Sequence, residues 1–143
     1  MIKQLSVFVE NKKGRMAHIA ELMGDAGVDI RALSIADTSD FGILRVIVDR
    51  PDLAVKTLRE AGMAVTLTDV IAVGMEDKPG SFAKIIRTVA DAGIEVEYMY
   101  AFIGRTAEKA FMIMRANEPV KAVEILTAAG AEILTGQDAL TQI

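Results

Sequence analysis

No cysteine occurs anywhere in the 143 residues, which removes disulfides, thiolate metal sites and cysteine nucleophiles together. Histidine is nearly absent as well: His18 is the only one, so a nucleophile–imidazole pair has a single candidate base. There is no concentration of positive charge. Lysine and arginine number 16 against 20 acidic residues, a net charge of −4, and they are scattered, whereas binding nucleic acid needs a basic face to neutralise phosphates. Long apolar runs are missing too. No window approaches the roughly 18 apolar residues that span a bilayer. The opening "MIKQLSVFVENKKG" is apolar too briefly, and alternates too strongly, for a secretory leader. These absences lead us to expect a cytoplasmic protein with no nucleic-acid and no membrane partner. GxxxxGK[ST], GxGxxG, HExxH and CxxC are also missing, so no cofactor and no metal site is expected.

What is present is a phrase written twice. "ENKKGRMAHI" starts at Glu10 and "EDKPGSFAKI" at Glu76, and aligning Gly14 with Gly80 (an offset of 66) carries the match on through Asp25-Ala26-Gly27 and Asp91-Ala92-Gly93. Following the phrase, Met16, Ile19, Ala20, Met23 and Ala26 in the first copy match Phe82, Ile85, Ile86, Val89 and Ala92 in the second. That spacing predicts one apolar stripe on a helix, ending at Gly27 or Gly93. Before each helix, alternation (Leu5, Val7, Val9; Ile71, Val73, Met75) predicts a strand.

After each helix the pattern predicts strands at Val28–Ala36 and Ile94–Ile103, polar turns "DTSDFG" and "GRTAEK", and strands at Ile43–Val48 and Phe111–Ala116. Of only three prolines, Pro51 and Pro119 align at an offset of 68, so the second hairpin is two residues longer, and each opens a helix running to Gly62 or Gly130. Last strands follow at Ala64–Leu67 and Glu132–Leu134. Each copy therefore reads β-α-β-β-α-β, the ferredoxin-like arrangement, in the α+β class: antiparallel sheets with helices on one face. The expected units are 1–67 and 68–143, with Thr66-Leu67-Thr68-Asp69 as the only punctuation. One arrangement, a continuous eight-stranded sheet, would cover exposed strand edges. Apolar residues on both parities of the second strand (Val28 and Ile30, then Leu33 and Ile35) predict that the helix-free face is buried as well, by a second copy of the chain, giving a homodimer.

Catalytic chemistry finds little support in the side chains. His18 aligns with Lys84, which places it on a solvated helix side. Ser81 has no histidine in its half and reads as a small polar residue in a first helical turn. The eight methionines fall largely at apolar positions, as core filler. The phrase itself is the richest feature. A strand that stops, a glycine and an immediate helix present free N–H groups and the positive end of a helix dipole, a seat for an anion such as phosphate or carboxylate.

The combined pattern, strand, then (N/D)-x-(P)-G, helix, then A-G-(V/I)-x-(I/V), resembles the ACT domain family, and both copies match. The resemblance implies a small ligand-binding regulatory module, here a tandem pair, that takes an amino acid where two units meet side by side. Loop residues of one unit and the start of the second strand of the other would hold it. Carried over, the loop positions are Asn11 and Asp77 with Gly14 and Gly80, and the second-strand positions are Asp29 and Glu95. Lys13, Arg15, Met16, Ser81 and Phe82 complete the candidate ligand-binding set, with no catalytic residue. Three positions depart from the family's pattern: Asp29 and Glu95 stand where asparagine is common, and Lys13 where proline is. A carboxylate offers acceptors only, suiting a ligand ammonium.

The expected function is non-catalytic: amino-acid binding that regulates an enzyme or a transcriptional circuit in trans. One alternative is a regulatory subunit permanently bound to a metabolic enzyme. A more remote one is an acylphosphatase-like hydrolase using Arg15 and Asn11. Crossing the units would set the Asn11–Gly14 loop, with Lys12, Lys13 and Arg15, against Glu95, matching both ends of a zwitterion, and the Asp77 loop against Asp29, two carboxylates that repel. The Asn11 loop is therefore expected to be the amino-acid site.

Overall fold

The computed structural model describes residues 1–37, 40–104 and 108–143. It divides into two compact units, Lys3–Thr68 and Asp69–Ile143, the latter joined by Met1–Ile2. The first unit runs β1 (Ile2–Glu10), α1 (Arg15–Asp25), β2 (Ile30–Asp37), β3 (Phe41–Val48) and α2 (Pro51–Glu60), and ends in the start of β4 (Val65–Glu76). The second continues along β4 and adds α3 (Ser81–Asp91), β5 (Val96–Ile103), β6 (Lys109–Ala116), α4 (Pro119–Ala128), β7 (Glu132–Ile133) and α5 (Gly136–Gln142).

In the first unit β3 lies between β1 and β2, antiparallel to both. The chain entering β4 flanks the other side of β1, with Phe8 N–H donating to Ala64 C=O at 3.0 Å. The second unit repeats this as β7–β4–β6–β5, again antiparallel. The alternation read from sequence is the burial pattern. Leu5, Val7 and Val9 turn to the side where Ile19 and Met23 of α1 and Ala54 and Leu58 of α2 close the core. Ile71 and Val73 meet Ile85, Val89, Ala122 and Leu126 in the same way. Each valine, leucine, isoleucine or methionine among them, fully buried, contributes about 1.5–3 kcal/mol. Met23, Met112 and Met114 are buried as core filler. Pro51 and Pro119 each occupy the start of a helix, where a missing N–H costs nothing.

Several expectations need correction. The described residues form seven strands, not eight, because the stretch read as punctuation at Thr66–Asp69 is part of one 12-residue strand, β4. Alternation of threonines with apolar residues suits a strand as well as a linker. The second strands begin at Ile30 and Val96, two residues later than expected, after buried Val28 and Ile94. A seven-residue helix, α5, follows β7 unforeseen. On the helices, Ala20 faces out and Phe82 is 48% exposed, so the apolar stripe is narrower than read. Of the two hairpin turns, residues 38–39 and 105–107 lie outside the described residues.

The doubled apolar parity of the second strand has a local cause. The β2–β3 register shifts between Ile30 and Ala32: Ile30 pairs Val48, Ala32 pairs Ile47 and Leu33 pairs Val46. The extra residue, Arg31, is a bulge, and a bulge exchanges the faces of everything after it. Ile30, Leu33 and Ile35 therefore lie opposite Val48, Val46 and Leu44, all on the helix side. β5 shifts at the same place, between Val96 and Tyr98. The apolar residues of this strand thus give no evidence of a buried helix-free face. Leu33 and Ile35, on a strand paired on one side only, are instead 55% and 49% exposed.

Candidate ligand-binding site

The repeated phrase folds the same way twice. Asn11 N–H donates to Asp40 C=O and Asp77 N–H to Glu108 C=O, both at 3.0 Å, tying the loop to its hairpin. The chain then closes a tight turn, Lys12 N–H to Glu10 C=O at 2.8 Å and Lys78 N–H to Glu76 C=O at 2.9 Å. Gly14 (φ 82°) and Gly80 (φ 92°) follow in the left-handed conformation that glycine adopts freely. The helix starts at the next residue with no side chain capping it. The first intrahelical bonds come from His18 and Lys84, to Gly14 and Gly80. Among the described residues no bond is made outside the helix by the N–H groups of Met16 and Ala17, or of Phe82 and Ala83, which the first turn of a helix leaves without intrahelical acceptors.

The charges around the two loops differ from the expectation. Glu10 takes Lys12 Nζ at 3.0 Å and Arg15 at 3.5 Å, so two of the three cations expected to greet a ligand carboxylate are held by a neighbour. The hydrogen bond from Lys12, reinforced by Arg15, holds the Glu10 carboxyl below the usual carboxylate range. Lys13 stands exposed and makes no ion pair among the described residues. In the second loop Lys78 pairs with Glu76 and lowers its pKa in the same way. Asp77 is exposed. Ser81 is half-buried, its N–H donating to Lys78 C=O at 3.3 Å, and Met16 packs partly against the core.

At the second-strand positions, each backbone is clasped by a side chain. Asp29 N–H donates to Asp49 Oδ1 at 2.8 Å, and Glu95 N–H to Asn117 Oδ1 at 3.1 Å. The Asp29 carboxylate is engaged by Arg31 Nε at 3.3 Å. That of Glu95 is exposed and unengaged among the described residues. Loop and second strand sit at opposite ends of an 11-residue helix, about 16 Å long. Neither unit by itself, then, brings Asn11 to Asp29 or Asp77 to Glu95.

In the second unit, sequence reasoning missed a cleft of about 420 Å³ between the start of α3 and the end of α4. Gly80 and Ser81 border it, but so do Gly74, Lys84, Lys109 and Glu132, from four different elements. No motif could have signalled it, because strand register assembles it. His18 is exposed, as its alignment with Lys84 predicts. Among the described residues there is no cluster of three or more metal-ligating side chains. No helix among the described residues is long and apolar enough to cross a membrane.

A family profile described as an ACT domain pair matches residues 1–142. The chain is similar to the crystal structure of protein BT0572 from Bacteroides thetaiotaomicron: 36% identity, TM-score 0.91, covering 96% of this chain and 94% of that one. It shares its fold with the ligand-free regulatory subunit of aspartate kinase from Thermus thermophilus (16% identity, TM-score 0.66, 89% and 91% covered). The fold is also shared with the corresponding subunit from Thermus flavus (17% identity, TM-score 0.63, 89% and 91% covered). No curated protein matches it.

Proposed function

We propose that this chain, which belongs to the ACT domain family and carries the domain as a tandem pair, is a non-catalytic regulatory protein that binds a small amino acid. The observation that carries the reading is the loop built twice: a left-handed glycine followed at once by an uncapped helix, whose free N–H groups suit a ligand carboxylate. A second ACT unit supplies the other wall through the start of its second strand. There Glu95, with its carboxylate unengaged, suits an ammonium better than Asp29, whose charge Arg31 already answers. The Asn11–Gly14 loop, with Lys13 uncommitted beside it, is the amino-acid loop in this reading, and the protein acts in the cytoplasm. It is a homodimer joined through the β2 edge, where Leu33 and Ile35 are exposed. The hydrolase alternative loses ground, since the arginine it needs for an anion is spent on Glu10.

A thermal-shift screen of the twenty amino acids tests the proposal, because a ligand that binds only the folded state raises its stability by RT ln(1 + [L]/Kd). No shift with any of them at millimolar concentration refutes it. A second reading, a subunit held permanently by an amino-acid-metabolism enzyme, draws on the fold shared with an aspartate kinase regulatory subunit over 91% of that chain. Recovery of a larger partner in fixed stoichiometry would favour it.

A further inference from the structure

The duplication allows the cleft of the second unit to be compared with its own counterpart in the first. The strand registers fix the correspondence: Glu76 faces Lys109 as Glu10 faces Phe41, and Gly74 neighbours Glu132 as Phe8 neighbours Ala64. Three cleft positions are smaller in the second copy. Gly74 stands for Phe8, Thr88 for Leu22 and Ala131 for Met63. Three others are charged where the first copy is neutral or apolar: Lys84 for His18, Lys109 for Phe41 and Glu132 for Ala64. In the first copy the matching aromatic pair, Phe8 and Phe41, stacks with centroids 4.9 Å apart. The first copy keeps a cavity of its own beside Phe8, Met63 and Ala64, so what the second copy has changed is the size and charge of the lining.

The charges can be paired off. Glu76 is held by Lys78, and Glu132 by Lys109 Nζ at 2.9 Å. Gly74 leaves room for the second pair: a Cβ there would stand 2.9 Å from Glu132 Oε2, and the carboxylate would have to swing aside. Lys84 remains, with no hydrogen bond or ion pair from its side chain among the described residues. It shares the rim with the uncapped start of α3, while Ile85, Leu126 and Ala131 supply apolar wall. The Lys84 charge also reaches Glu76, helping to lower that carboxyl's pKa. With Lys78, Lys84 and Lys109 against Glu76 and Glu132, the site has one cation more than carboxylates, one positive helix end, and no free carboxylate to accept an ammonium.

We propose that this cleft is a second ligand site, separate from the amino-acid site, and that it takes a small monocarboxylate with a short aliphatic tail rather than a zwitterion. The full chain is titrated with 3-methylbutanoate and followed by the amide resonances of an NMR spectrum. Saturable shifts are expected at 82–85 and 130–132. Affinity should fall about tenfold or more for 3-methylbutanamide, which lacks the charge, and for Lys84→Gln, through loss of a charge-assisted contact. The double variant Thr88→Leu/Ala131→Met, which introduces the first copy's larger side chains, should narrow the cleft and weaken binding by about tenfold or more. Its fold is checked by resonances elsewhere, and it decides the matter should Lys84→Gln fail to fold. The proposal is overturned by an absence of saturable shifts, by equal binding of the amide or by unaltered binding in Lys84→Gln. Inorganic phosphate binding as tightly would reduce the cleft to a seat for charge, and leucine binding there as tightly would refute the preference for a monoanion. Amino-acid binding at the Asn11 loop is read from other resonances, so either reading can fail alone.

Discussion

Replacing Gly14 or Gly80 by valine is a matched pair of perturbations. Both glycines have φ near +90° (82° and 92°), and a Cβ added at either would meet no atom within 4 Å. The cost is therefore backbone strain alone. A non-glycine residue held in the left-handed region costs about 1–2 kcal/mol, and a β-branched one more. The smaller conformational freedom of the unfolded variant returns about 0.5–1 kcal/mol. Each variant should lose about 1–2 kcal/mol, measured as a lower urea midpoint at unchanged slope, and the two losses should be alike. Ligand binding should not be alike. If the Asn11 loop is the amino-acid site, calorimetric titration of Gly14→Val should show binding weakened by more than about tenfold, since the N–H groups after the glycine are re-aimed. Gly80→Val should bind nearly as the parent does. Two stabilities differing by well over 1 kcal/mol would refute the strain account. Loss of binding in Gly80→Val alone would refute the site assignment.

Exchanging His18 for alanine, on an exposed helix position, should change stability by no more than about 0.5 kcal/mol and leave ligand binding as it was; a larger loss in a denaturant titration would mean the imidazole has a partner. Carbon-detected NMR titration should find the Glu10 carboxyl below the ordinary glutamate range, rising toward it in Lys12→Ala. Because the folded-state pKa is the lower one, whatever this pair adds to stability is present at neutral pH and lost as pH falls through that depressed value. A normal Glu10 pKa in the parent would remove the pair. Light scattering should report twice the mass of one chain, and Leu33→Asp should halve it; a monomeric parent ends the edge-pairing proposal.

Much of the fold could be read from the sequence because its signals are local. Pro51 and Pro119 open helices, Gly14 and Gly80 end turns, and the alternation of Leu5, Val7 and Val9 is a burial pattern in three residues. The bulge at Arg31 was illegible because one inserted residue, seen as letters, looks the same as a second apolar face. β4 was cut short because Thr66 and Thr68 suit linker and strand equally. α5 has only seven residues, though Thr135 Oγ1 and Asp138 Oδ2, 2.6 Å apart, form a start signal visible in hindsight. At the loops, sequence gave position but not commitment. Whether Arg15 was available depended on Glu10, two strand residues after Phe8, whose place beside it only the turn decides.

The shared bulge is also a record of ancestry. A strand acquires one by insertion of a single residue, and here the insertion stands at Arg31 and Glu97, at the same offset as the glycine loops, with opposite charges on the inserted residues. The simplest history has the kink already present in a single ancestral unit before the gene doubled. The two-residue difference in hairpin length lies after it. The kink kept its place in both copies although the residue that makes it changed charge, so here the backbone path has been held more strictly than the side chain.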